Sequence, residues 1–296
     1  MLIRTFIGFG LLFSLSQAVF ALPNRGIVRG EDGQAVSLAY VAEAVPRGGI
    51  LVIGENHGLA VHRDQHLALL KQLRTAGHKV SVGLEFINYP FQPFVDGWRA
   101  GQLTEEEFLQ KIGWGGTPFE FYRPQAQFPL LSEGAKTLAL NAPRSVTSKI
   151  AKEGLESLSA DERRLLPGDF QLGRDPYRRR FEAMMPHLPD GPAKDRYFAA
   201  QSAWDDTMAW TALKFMRANP EQTLVIIVGD FHVQYGGGLP DRLRSRSNIP
   251  VRTLSQLDSS GLSPEEIEAE VLPTDADGIR ADWIWVDESR VPTPQP

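Results

Sequence analysis

Short apolar runs, each the length of one strand, constrain this chain most. They occupy residues 49–54 (GILVIG), 80–86 (VSVGLEF), 137–140 (TLAL) and 223–229 (TLVIIVG), with two further candidates at 251–254 and 283–286. The first four are apolar almost throughout rather than alternating. That is the pattern of strands buried on both faces of a parallel sheet. The segments between them have helical patterning. Residues 62–76 end before Gly77, a good C-terminal cap. Residues 104–112 open on a capping box, Thr104 with Glu107, and Ser159 with Glu162 and Ser263 with Glu266 repeat the signature. The longest helix is expected over 195–217, with Tyr197, Gln201, Trp204, Met208, Thr211 and Phe215 falling on one stripe at helical spacing. The sum is an α/β fold: an open, mainly parallel sheet with helices on both faces and a helical insertion around 90–220.

Composition narrows the function classes. Hydrophobic residues make up 42% of the 296 and charged residues 23%, enough apolar surface to exclude a disordered chain. The net charge of −5 argues against nucleic acid as a partner, since such a binder needs a basic surplus. Cysteine is absent, which removes disulfides, thiolate metal sites and the acylated cysteine of a lipoprotein.

Residues 1–21 have the grammar of a secretory signal peptide: Arg4, then an apolar run, then Val19 and Ala21 before the cut. Ser14, Ser16 and Gln17 interrupt the run before the roughly 20 apolar residues of a membrane span are reached. No later stretch is long and apolar enough to cross a bilayer. A single domain over 22–296, exported to the periplasm or beyond and without a membrane span, is expected. Residues 291–296 form a short extended tail.

The polar residues mark the site. The first run leads straight into Glu55, Asn56 and His57; the second carries Glu85; the third ends at Asn141; the fourth ends in Asp230-Phe231-His232. In open parallel sheets, ligands bind along the carboxyl ends of the strands. Any one of these residues has a plain explanation: Glu55 as a helix-start acceptor, Asn141 as a turn residue, His232 as a satisfied interior histidine. Four strands delivering such groups to one rim are harder to explain as packing. His62 and His66 share one helical face and are either metal or haem ligands or a solvated polar face. Tyr122 and Tyr235 are the preferred tyrosines for a ligand oxygen. Gly236-Gly237-Gly238 is either an anion-binding turn or a flexible loop. Arg178, Arg179, Arg180, Arg242, Arg244 and Arg246 are candidates to pair with carboxylates or simply exposed.

Six motifs in order carry a resemblance: Gly54-Glu55-Asn56-His57, Gly83-Leu84-Glu85, Tyr122-Arg123-Pro124, Leu140-Asn141-Ala142-Pro143, Gln201 with Asp205-Asp206-Thr207-Met208-Ala209, and Gly229-Asp230-Phe231-His232. The chain resembles the ChaN-type haem-binding proteins of the wider Tiki/TraB and erythromycin-esterase-like group, from about Gly49 to Arg246. The resemblance implies an α/β fold, export, haem as cofactor and a role in haem or iron uptake, with a homodimer or components of an uptake system as partners. The haem-binding set it points to is His57, His62, His66, Tyr122, His232 and Tyr235, supported by Glu55, Glu85, Asn141, Gln201 and Asp205. Two departures stand out. The acylated cysteine of family lipoproteins is missing, and the doubled histidine expected after the first motif is here His62-Arg63, with His66 further on. The alternative reading is a hydrolase: Glu55, His57, Glu85 and His232 as catalytic groups, or His57, Glu85 and His232 as metal ligands.

Overall fold

A computed structural model describes residues 25–288, so the expected signal peptide and the extended tail lie outside the described residues. The strands are β1 (Gly26–Arg29), β2 (Ala35–Val36), β3 (Ile50–Glu55), β4 (Lys79–Asn88), β5 (Thr137–Asn141), β6 (Gln222–Gly229), β7 (Val251–Asp258) and β8 (Trp283–Asp287). They form one sheet in the order β2-β1-β8-β7-β3-β6-β4-β5. The six strands from β8 to β5 run parallel. Only β1 runs against them, with β2 folded back antiparallel on β1 as a hairpin at the sheet's edge. All six expected strands form, and the antiparallel hairpin is an addition, carried by segments too short to show a period.

The helices are α1 (Leu38–Ala44), α2 (Ala60–Thr75), α3 (Gln92–Arg99), α4 (Glu105–Ile112), α5 (Arg123–Gln127), α6 (Arg144–Glu153), α7 (Ala160–Arg163), α8 (Asp175–Met184), α9 (Pro192–Ala218), α10 (Leu239–Arg246) and α11 (Pro264–Val271). All three capping boxes form, on α4, α7 and α11. The helical insertion is divided by β5, with α3 to α5 before it and α6 to α9 after it.

Alternate residues of each strand enter opposite cores. Leu51, Ile53, Val82, Leu84, Val225 and Ile227 pack with Leu69, Leu70 and Leu73 of α2 on one face. Ile50, Val52, Leu138, Leu140, Ile226 and Val228 pack with Met208, Ala209 and Ala212 of α9 and with Leu239 and Leu243 of α10 on the other. This is why the runs are apolar without alternation. Gly83 is glycine because Leu140 crosses it; a Cβ there would lie 2.6 Å from Leu140 Cδ1.

The expected stripe on α9 is displaced. Tyr197 is 42% exposed, while Phe198, Ala199, Ala203, Asp205 and Asp206 are buried alongside Gln201 and Met208. Small alanines let α9 sink between the sheet and its neighbours, so it is buried round most of its circumference and no single stripe describes it.

Candidate functional site

β3 and β6 are in register to their ends, so Glu55 stands opposite Gly229. β4 slips out of register with β5 between Leu84 and Asn88, at the position of Glu85. Such irregularities re-aim a side chain at the end of a strand. The rim therefore receives Glu55 from β3, Glu85 from β4, and Asp230 and His232 from the turn after β6.

Glu55 is buried and holds three neighbours. Its Oε1 accepts from the Tyr122 hydroxyl at 2.6 Å and meets His57 Nδ1 at 2.8 Å. Its Oε2 lies 3.7 Å from His66 Nε2. His57 donates from Nδ1 to this carboxylate, so its Nε2 carries the lone pair. The His57 side chain is 44% exposed. Burial works against its charged form, but the Glu55 bond and the Glu85 charge prevail and raise its pKa. Its ring stands edge-on to Phe86, 5.1 Å between centroids, and Phe86 continues to Tyr122 and Trp114.

A second dyad lies deeper. His232 Nδ1 is 2.6 Å from Asp205 Oδ1, and its Nε2 is 3.4 Å from Glu85 Oε1. Tyr177 donates to Asp205 Oδ2 at 2.9 Å, and Gln201 donates to the Tyr177 oxygen at 2.9 Å. His232 is buried, which opposes its charge, yet the two flanking carboxylates raise its pKa well above the usual value. Burial also opposes ionisation of Glu85, but His232, His57 and the Gly229 N–H outweigh it and hold Glu85 at about 2. Glu85 thus sits as a carboxylate between two histidines, each backed by its own acid. Gly229 gives them room: a Cβ there would lie 3.0 Å from His57 Nε2 and 3.8 Å from Glu85 Oε2.

The structure brings Glu55, His57, Glu85, Tyr122, Gln201, Asp205 and His232 into this one cluster. The other expected residues sit differently. His62 and His66 are fully buried, neither a solvated face nor an open ligand pair. His62 Nδ1 accepts from the Asn56 N–H at 3.0 Å and its Nε2 has no hydrogen-bond partner among the described residues, while His66 Nε2 bonds Gln256 at 2.7 Å. Burial and the neighbouring His66 lower the pKa of His62 to about 4. Tyr122 is 2% exposed, and burial with the Glu55 charge keeps its phenol protonated. Asn141 accepts from the N–H of Ala142 at 2.8 Å, the local turn bond. Tyr235 lies under the guanidinium of Arg180, 4.5 Å from the ring centroid, with a left-handed backbone (φ 58°). It lines clefts with Arg280 and Arg174 rather than with the histidines.

The glycine turn and four of the six candidate arginines are already engaged, while Arg244 reaches Asp282 only at 3.8 Å. Gly237 and Gly238 admit the Tyr177 ring, which a Cβ at either would meet at about 3 Å or less. Arg178 bonds Glu182 and Asp195, Arg180 bonds Gln234, Arg242 bonds Asp241, and Arg246 bonds Asp206 and Asp169. Among the described residues, no group of three or more His, Asp or Glu side chains is arranged to hold a metal ion.

Several residues take roles that the sequence reading did not assign. Asp230 is a buried structural acid: it accepts from Arg280 Nη2 at 2.7 Å, Ser255 at 2.7 Å and Gln234 at 2.6 Å. Gly54 permits this, since a Cβ there would lie 2.8 Å from the Asp230 Cα. Tyr177, Phe86 and Trp114 also belong to the site's surroundings. Phe86 had a signal, because it follows Glu85 directly; Tyr177 and Arg280 had none in local pattern.

The chemistry available is of two kinds. An exposed imidazole whose Nδ1–H is fixed by a carboxylate presents a basic Nε2 to a metal centre. Paired His–acid dyads around a carboxylate move protons. A haem fits the first: the His57 side chain is 44% exposed with its Nε2 beside Gly229, and Phe86 with Trp114 provides an aromatic flank.

Comparison with known proteins follows the same line. The model of the haem-binding uptake family ChaN, of the Tiki superfamily, matches residues 41–243. ChaN of Campylobacter jejuni, solved with cofacially bound haem, superposes with a TM-score of 0.61 at 14% identity, covering 88% of this chain and 95% of that one. The type III effector HopBA1 gives a TM-score of 0.45 at 14% identity, over 91% of this chain and 99% of that one. The erythromycin esterase EreC gives 0.40 at 14% identity, over 72% and 71%. No curated protein matches. Among the described residues, no helix is long and apolar enough to cross a membrane. The matched family model spans strands β3 to β6, both dyads and the aromatic flank, and the chain belongs to the haem-binding uptake family ChaN of the Tiki superfamily.

Proposed function

We propose that this protein binds haem through His57 Nε2 and serves haem or iron acquisition after export to the periplasm. One observation carries the reading: His57 is the histidine of the cluster that is exposed, and its inner nitrogen is fixed 2.8 Å from Glu55. That bond sets the tautomer and raises the basicity of the outer nitrogen. Glu55 is in turn held by Tyr122, so Tyr122 acts as a positioning residue. Bound haem would supply an iron centre for His57; Phe86 and Trp114 would cover part of the ring. A ligand at an exposed rim suits a haem whose far face is closed by a second copy of the chain or by an uptake component. The pattern of residues 1–21 supports removal of that segment on export, leaving one domain over 22–296. Hemin titrated into the purified protein should give a saturable Soret shift, lost or at least tenfold weaker in His57→Ala. An unchanged titration in that variant would overturn the assignment.

A hydrolytic reading is favoured by a different observation, the Asp205–His232–Glu85 array with His57 opposite. In that reading His57 is the general base at the rim, and Glu85 and His232 form the charged floor. Turnover of an ester panel, abolished in both His57→Ala and Glu85→Gln, tests it; inert wild-type protein would exclude it.

A further inference from the structure

A groove on the outer edge of the sheet lies apart from the histidines. Its floor is Leu138 and Ala139 of β5, and its walls include Trp210 and Phe215 of α9 and Tyr89; it encloses about 360 Å³. β5 is the last strand of the sheet, so this groove is where the parallel array ends. Tyr89 and Trp210 meet edge to face at 5.6 Å, giving the groove a rigid aromatic wall.

The charges around it are of one sign. Among the described residues, Lys136 and Lys214 are its only charged lining residues. Lys214 lies 5.7 Å from the Trp210 ring and makes no ion pair among the described residues. Lys136 reaches Asp96 only at 3.9 Å, with both side chains about half exposed, which leaves its charge largely uncompensated. An apolar floor with two cations at the mouth is complementary to an apolar body bearing one anionic head.

The backbone edge is closed to a peptide strand. The Gln92 side-chain amide donates to the Thr137 carbonyl at 2.9 Å and accepts from the Ala139 N–H at 2.7 Å. It makes the two bonds that an added strand would make, so strand addition has no free partners at these positions. A peptide adding as a strand is therefore not the occupant, and the groove's size and charge suit a small molecule.

We propose that this edge groove binds a small apolar carboxylate, its body on Leu138, Trp210 and Phe215 and its head group at Lys136 and Lys214. The test is calorimetric titration of the full chain with decanoate, below its micelle concentration, and with decylamine. Lys214→Glu and the double variant Lys136→Glu/Lys214→Glu change only exposed side chains, and circular dichroism checks their fold. We expect one saturable decanoate site, unchanged when the protein is saturated with hemin, at least tenfold weaker in Lys214→Glu and undetectable in the double variant, with no decylamine binding to wild type. Non-saturable binding, equal affinity in the variants, equal binding of decylamine, or displacement by hemin would each overturn it.

Discussion

Tyr122 and His57 meet on one carboxylate oxygen: Glu55 Oε1 accepts from the tyrosine hydroxyl at 2.6 Å and lies 2.8 Å from the imidazole nitrogen. The tyrosine comes from the turn before α5 and the histidine from the loop after β3, so one buried acid ties two distant segments to the rim. Replacing Glu55 by Gln removes the carboxylate hydrogen bond that, with the Glu85 charge, raises the His57 pKa. Hemin affinity should fall by about 10–100-fold, the usual cost of losing the partner behind a ligating histidine. Absorbance titration reads it.

Tyr122→Phe separates support from ligation. The variant loses one buried hydrogen bond to a charged acceptor, worth about 1.5–3 kcal/mol in urea unfolding. Hemin should still bind, with a Soret maximum unchanged in position. Loss of that band would make the phenol oxygen the ligand.

Asp230 and Arg280 form a buried pair at 2.7 Å, both side chains nearly inaccessible. Arg280→Ala leaves the acid buried without its cation and should cost about 3–5 kcal/mol. Arg280→Ala combined with Asp230→Asn should recover part of this. Denaturant melts of the two variants measure the difference.

Acid should loosen the fold through His62 first. Its folded pKa of about 4 lies below the ordinary 6.5, so the unfolded chain binds a proton that the folded chain refuses between those values. Stability therefore falls as pH drops from 6.5 to 4, by about 3 kcal/mol at most from this residue. His66, also depressed by burial, adds in the same direction. Glu85 acts lower: its stabilisation is complete above 4.5 and is lost as pH falls through about 2. His62→Gln should flatten the upper part of the profile. An unchanged slope in that variant would contradict the assignment.

The parallel sheet and the polar rim were legible because both are local. Apolar runs followed at once by Glu55, Glu85 or His232 need no knowledge of distant chain, and neither do the three capping boxes. What was not legible depends on contacts across the sequence. His62 and His66 are at helical spacing whether buried or solvated; only Gln256, 190 residues from His66, shows that they face inward. Tyr235 follows His232 closely, yet its left-handed backbone turns it to Arg180. Asn141 sits at a strand end for its turn bond, not for the cluster. Tyr177 joins Asp205 from 28 residues away with no motif around it.

The central claim is that His57 Nε2 is the group presented to iron. The most direct measurement is the optical spectrum of ferric haem with His57→Gly, without and with added imidazole. The account predicts a Soret band lost in the variant and restored by imidazole filling the vacated position. A wild-type spectrum in His57→Gly alone, or no rescue in a folded variant, would contradict it.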